Sequence, residues 1–140
     1  MKQLYSHSDY QRDTQEIVKI LKNRDVHLVS LYRGSLPLGV KLSNILKLPL
    51  SIIDFQSYDG NSNKPSLIKN AGIKQNQTIV ILDDIYDTGN TLEKTRSYFL
   101  KYYPNKIEGV VLMNNKNTPS WITSLGQSNG NWIVFEDWEL

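Results

Sequence analysis

Apolar residues along the chain switch repeatedly between a helical and a strand-like rhythm. Between residues 8 and 22, Tyr10, Ile17, Ile20 and Leu21 recur among charged and amide side chains, and Ser6 or Ser8 is placed to cap the amphipathic helix this predicts. Residues 26–31, Val-His-Leu-Val-Ser-Leu, predict a buried strand, which Arg33-Gly34-Ser35 breaks. A second helix is expected from about Leu36, with Pro37 tolerated in its first turn and Leu38, Leu42, Ile45 and Leu46 on one face. Residues 50–55 predict another strand, and residues 78–82, Thr-Ile-Val-Ile-Leu, the clearest one in the chain. A helix carrying Leu92, Thr95, Phe99 and Tyr102 on one face follows, then a strand over 107–113. Residues 57 to about 77 have no period and are rich in Asn, Ser, Lys and Gly, as a functional loop inside a compact domain would be.

Strands alternating with helices favour an α/β fold: a mainly parallel sheet flanked by helices, with ligands bound beyond the carboxyl ends of the strands. The two strongest polar breaks, at Arg33 and Asp83, fall at such ends. A length of 140 residues suits a single domain, divided here into a core of about 1–116 and a small C-terminal hood of about 117–140 that holds all three tryptophans. With 39% apolar and 21% charged residues, the composition excludes coiled-coil, collagen-like and disordered classes. A net charge of +2 offers no reason to expect nucleic acid or an acidic membrane as partner. The absence of cysteine excludes disulfides, thiolate metal sites and a cysteine nucleophile. No apolar run approaches the roughly 18–20 residues of a spanning helix, and the first seven residues lack the apolar centre of a signal peptide. A cytoplasmic protein is expected.

The chemistry concentrates after the central strand, in Asp83-Asp84-Ile85-Tyr86-Asp87-Thr88-Gly89-Asn90-Thr91. Adjacent carboxylates repel and call for a metal, a base or hydroxyl donors as partner. Thr88, Gly89 and Thr91 suit a phosphate cradle: glycine lets the backbone turn, successive N–H groups point inward, and hydroxyls donate at a helix N-terminus. One loop thus offers acceptors for a hydroxylated sugar and donors for a phosphate.

Residues 79–92 resemble the phosphoribosyl pyrophosphate (PRPP) signature of the type I phosphoribosyltransferases: four apolar residues, two acids, two variable residues, then acid-Thr-Gly-x-Thr. The resemblance implies an enzyme that joins a base to the ribose phosphate of PRPP with Mg2+. By it, Asp83 and Asp84 bind the ribose hydroxyls and lie near the metal, Asp87 is the general base, and Thr88, Gly89, Asn90 and Thr91 hold the 5-phosphate. Arg33-Gly34 resembles the pyrophosphate loop, and Ser57-Tyr58 the catalytic loop that closes over PRPP, with Lys64 or Lys69 reaching the pyrophosphate. Lys116 stands where the purine enzymes place a lysine on the 6-oxo group. Residues 132–139, Trp-Ile-Val-Phe-Glu-Asp-Trp-Glu, are similar to the hood of bacterial xanthine-guanine enzymes. Trp132 would stack on the purine, backbone groups of Ile133 would read its edge, and Asp137 or Glu139 would help hold a second metal, Asp137 being the candidate adopted. Guanine, xanthine or hypoxanthine is the implied base, and a dimer or tetramer the implied assembly. A PRPP-binding regulator without catalysis, an enzyme for another base, and, last in rank, a receiver-like signalling domain remain open at this point.

Overall fold

A buried strand needs neighbours on both edges, and the chain supplies them from both directions. The computed structural model describes residues 1–32, 34–55, 65–69 and 72–139, with Phe55 and residues 65–69 described by backbone alone. Within them run β1 (Lys2–Tyr5), α1 (His7–Leu21), β2 (Val26–Leu31), α2 (Leu36–Leu46), β3 (Leu50–Phe55), β4 (Pro65–Lys69), β5 (Thr78–Tyr86), α3 (Asn90–Tyr102), β6 (Ile107–Asn114), β7 (Ile122–Ser124), β8 (Trp132–Phe135) and α4 (Glu136–Glu139). Six strands form one sheet in the order β4-β3-β2-β5-β6-β7, parallel except for β4, while β1 and β8 pair as a separate parallel ribbon.

Strand alternation divides the core between the two faces of the sheet. Leu28, Val80 and Leu82 pack with Tyr10, Ile17 and Leu21 of α1 and with Leu38 and Leu42 of α2. Val29, Leu31, Ile79 and Ile81 pack with Leu92 and Phe99 of α3. Each of these side chains is fully or almost fully buried, which stabilises the fold by about 1.5–3 kcal/mol per large aliphatic or aromatic residue. Ser6 caps α1 through a reciprocal box: the Asp9 N–H donates to Ser6 Oγ at 3.1 Å and the Ser6 N–H to Asp9 Oδ2 at 2.9 Å. In α2, Leu38 and Leu42 face the core as expected, but Ile45 is 50% exposed, because the sheet covers a narrower stripe than the apolar residues span. Gly39 explains how closely α2 approaches: a Cβ there would fall 1.8 Å from Ser30 Oγ on β2.

Four strands lie outside the expected set. β4 falls in the stretch read as patternless; it is a short edge strand opened by Pro65, a residue without an N–H to leave unpaired. β1, β7 and β8 are four, three and four residues long, too short for a period to register. The clearest expected strand also runs four residues further than its apolar stretch. β6 pairs with β5 as far as Tyr86↔Asn114, whereas β2 pairs with it only to Ser30↔Leu82. Asp83 and Asp84 therefore have strand backbone supported on one side and open on the other.

β2 also carries a titratable group in the sheet interior. His27 is fully buried, with Nε2 2.7 Å from Ser51 Oγ. Burial holds it below its ordinary value of 6.5, with the neighbouring Gln77 amide acting in the opposite sense. The unfolded chain then binds a proton that the folded one refuses. This contribution to stability is present above 6.5 and is lost as pH falls towards the folded value. Urea midpoints measured from about pH 7.5 down to about pH 5 should fall more steeply for the wild type than for His27→Gln, at most by about 1.4 kcal/mol per pH unit. Identical slopes would remove His27 as the cause.

Candidate active site

The sheet order reverses between β2 and β5: β3 lies beyond β2 on one side, β6 beyond β5 on the other. At such a switch point the connections leave in opposite directions and open a crevice beyond the strand ends. Gly34 enters it from β2. A Cβ at Gly34 would stand 2.8 Å from Asp84 Oδ2, so a larger residue there would have to displace the Asp84 carboxylate.

Asp83 and Asp84 occupy the open end of β5. Their side chains are half-buried, and each is held locally by backbone, the Asp84 N–H donating to Asp83 Oδ1 at 2.9 Å and the Ile85 N–H to Asp84 Oδ1 at 2.8 Å. Desolvation, followed by the neighbouring Asp84 carboxylate, holds Asp83 well above the ordinary carboxylate range. Asp84 is also raised, again chiefly by desolvation, with the charge of Glu139 adding to it. This pair is electrostatically incomplete in the isolated chain.

Beyond them, Asp87, Thr88 and Gly89 form the turn into α3. Gly89 sits at the helix N-cap with φ 86°, and a Cβ on it would strike the Tyr86 hydroxyl at 2.4 Å. The exposed hydroxyl of Thr88 accepts from the Asn90 N–H at 3.3 Å. Thr91, also exposed, begins the first turn. Asp83, Asp84, Asp87, Thr88, Gly89 and Thr91 all line one open cavity of about 250 Å³. Carboxylates at one end of that cavity and a helix N-terminus at the other give it both acceptors and donors.

Lys116 stands just past β6, exposed, its Nζ 5.9 Å from the centroid of the Tyr86 ring beneath the turn. Asp87 is also exposed, and the Asn115 Nδ2 donates to its Oδ1 at 2.8 Å. Trp132 is 69% exposed, with its N–H bonded to the Met1 carbonyl. Ile133 turns its side chain into the core beside Phe135, so any base contact by this residue falls to its backbone.

The C-terminal acids separate. Asp137 Oδ2 lies 2.9 Å from His7 Nδ1, on the α1 side. Glu139 instead shares a cavity of about 500 Å³ with Asp84, Gly34, Tyr32 and Trp138, and its Oε1 accepts from the Phe135 N–H at 3.2 Å. Trp138 stacks on Phe135 at 4.8 Å and meets Tyr10 edge-on, which seats α4 against the core. Asn115 and Tyr86 were not among the expected site residues. The only sequence signal for Asn115 was the unusual polarity of Asn114-Asn115-Lys116-Asn117 at a strand end. Arg33, Ser57, Tyr58 and Lys64 lie outside the described residues, and Lys69 is described by backbone alone.

A parallel sheet with paired acids at its switch point, leading into a glycine turn at a helix N-terminus, defines an α/β protein that handles a phosphorylated ligand. The chain belongs to the phosphoribosyl transferase domain family, whose model matches residues 2–124, and it is thus a phosphoribosyltransferase. Among solved structures it is similar to a purine phosphoribosyltransferase from Pyrococcus horikoshii, at 28% identity and a TM-score of 0.78 over 99% of this chain and 95% of that one. The xanthine-guanine-hypoxanthine phosphoribosyltransferase of Helicobacter pylori is similar to the same degree, at 26% identity and a TM-score of 0.78 over 100% and 95%. An orotate phosphoribosyltransferase from Aeropyrum pernix shares the fold, at 15% identity and a TM-score of 0.68 over 87% and 73%. No curated protein matches the sequence.

Proposed function

We propose that this protein transfers the 5-phosphoribosyl group of PRPP to a 6-oxopurine, forming a nucleoside monophosphate and pyrophosphate, in purine salvage. The carrying observation is the single crevice in which Asp83, Asp84 and Asp87 meet the glycine–threonine turn at the start of α3. Likeness along nearly the whole chain to two purine enzymes supports the choice of base class.

Asp83 and Asp84 accept from the ribose hydroxyls, while the 5-phosphate lies against the N–H groups and hydroxyls of residues 88–91. The base stacks on Trp132 and offers its 6-oxo group to Lys116. As the bond from C1 to the pyrophosphate oxygen breaks, a base nitrogen forms the new bond to C1, and the proton lost from the purine passes to Asp87. Gly34 borders the leaving pyrophosphate; the roles the resemblance gives Arg33 on that group and Ser57-Tyr58 over bound PRPP fall on residues outside those described.

Mg2+ fits the donor set. The acids are hard oxygen ligands whose protonation is favoured first by burial and then by charge, that of Asp84 at Asp83 and that of Glu139 at Asp84, a condition a cation relieves. Among the described residues no cluster of three or more acids, histidines or cysteines could hold an ion alone. That suits a metal commonly bound by one or two carboxylates together with substrate oxygens and water. Asp83 and Asp84 would hold it, with Glu139 the C-terminal acid facing Asp84 and Asp137 committed to His7. When bound, the ion neutralises charge on the departing pyrophosphate. A cytoplasmic homo-oligomer completes the reading, which sedimentation of the purified protein would check.

The test is incubation with PRPP, Mg2+ and guanine, xanthine, hypoxanthine, adenine, uracil or orotate. Monophosphates are expected from one or more 6-oxopurines. A pyrimidine nucleotide would overturn Lys116 and Trp132 as base readers. PRPP binding without any product would convert the reading to that of a regulator.

A further inference from the structure

Asn115 is held by more partners than a surface asparagine needs. Its backbone N–H donates to the Tyr86 carbonyl at 2.8 Å, which ties it to the end of β5. Its Oδ1 accepts twice, from Ser128 Oγ at 2.6 Å and from the Gly130 N–H at 3.0 Å. Its Nδ2 donates to Asp87 Oδ1 at 2.8 Å. The orientation of the amide follows from chemistry. A backbone N–H can only donate, so the atom facing Gly130 must be the oxygen, and the NH2 must face Asp87. Ser128 is itself buried, and its N–H donates to the Asn114 carbonyl at 2.9 Å, so the acceptor side of the amide rests on fixed structure.

We infer that Asn115 is a positioning residue for phosphoribosyl transfer, orienting the Asp87 carboxylate and locking it to the turn at 128–130 that leads into Trp132. The inference rests on the proposed role of Asp87. With Oδ1 engaged, Oδ2 remains to meet the proton of the bound base, so the carboxylate presents one defined oxygen instead of rotating freely. The same amide joins the proton acceptor to the hood. Gly130 is two residues before Trp132, whose own N–H is bonded to Met1. The group that takes the proton and the ring proposed to stack on the base are thereby held in one frame, and misplacement by about 1 Å at such a contact costs up to about 100-fold in rate.

Two substitutions separate the halves of this device. Asn115→Asp keeps an acceptor for Ser128 and Gly130 but sets a carboxylate against Asp87. Asn115→Ala removes both halves. With the 6-oxopurine that the wild type converts, Asn115→Asp is expected to lower kcat about 10- to 100-fold with KM for PRPP within about twofold and an unchanged melting temperature. Asn115→Ala should lower kcat and also raise KM for the base. In an Asp87→Asn background the further effect of Asn115→Ala on kcat should nearly vanish, since a group acting through another has nothing left to orient. Full activity in Asn115→Asp, or equal losses from Asn115→Ala in both backgrounds, would overturn the assignment while the wild type still made nucleotide. A wild type inert towards every base would instead remove the proposed activity and this inference with it.

Discussion

Asp87→Asn is expected to lower kcat by about 10²- to 10⁴-fold while leaving PRPP affinity within about twofold, the range spanned by loss of a positioned general base. The substitution keeps the size of the side chain. Its amide oxygen still accepts from Asn115 Nδ2, as the carboxylate does at 2.8 Å. What disappears is the capacity to take a proton. Asp87 is exposed at the rim of the turn, so its replacement should leave the fold undisturbed. Steady-state kinetics with a 6-oxopurine, together with calorimetric titration of Mg2+-PRPP, make the comparison. Equal losses in turnover and PRPP binding would mean that Asp87 is a substrate ligand and that the proton leaves by another route.

The second large effect runs in two directions at once. The Asp83→Asn, Asp84→Asn double variant should bind PRPP at least about 100-fold more weakly, because two charge-assisted contacts are lost at roughly 1.5–3 kcal/mol each. It should also melt higher than the wild type. Both acids are raised above their ordinary 3.8 in the folded chain, by desolvation first and by neighbouring carboxylates after it. The folded state therefore holds protons more tightly than the unfolded one. The stability this confers is complete below 3.8 and is lost as pH rises through the raised values. At neutral pH the pair is a source of strain that asparagines do not share. A gain of roughly 3–6 °C is expected near pH 7.5, shrinking towards pH 4. A lower melting temperature at neutral pH would show that the carboxylates are satisfied within the chain.

Much of the frame was legible beforehand because it depends on local pattern. β2 and β3 are short runs dominated by apolar, strand-favouring residues, and α1 and α3 show a helical stripe whose members Ile17, Leu92 and Phe99 are buried, although Tyr102 at its end is 59% exposed. The turn into α3 was legible for another reason: two adjacent acids followed by Asp-Thr-Gly-x-Thr at a strand end offer acceptors for a sugar and donors for a phosphate in one short loop. The features that escaped depend on partners distant in the chain. Strand β5 continues past its apolar stretch because β6 reaches Asn114 to pair with it. β1 has only four residues and is a strand because β8, about 130 residues later, lies alongside it with Lys2 opposite Trp132. The C-terminal acids illustrate the same limit. Asp137 and Glu139 are two residues apart, and in a helix two residues turn through about 200°. Once 136–139 form α4, one acid faces His7 and the other the Asp84 cavity. Nothing in four residues of sequence announced that helix.

The β1–β8 ribbon bears on how the protein is best handled. Because the Met1 carbonyl bonds to the Trp132 N–H, an affinity tag appended ahead of Met1 would emerge beside the aromatic platform proposed for the base. A tag following α4 would leave from next to Glu139 and the Asp84 cavity. Extensions at either end of this sequence would therefore lie beside groups proposed to bind the substrate. The turn at 103–106 feeds β6 from the opposite end of the parallel sheet, and its Lys106 side chain is exposed. A tether attached to the Lys106 side chain, leaving buried Asn105 undisturbed, would face the substrate entrance towards bulk solution.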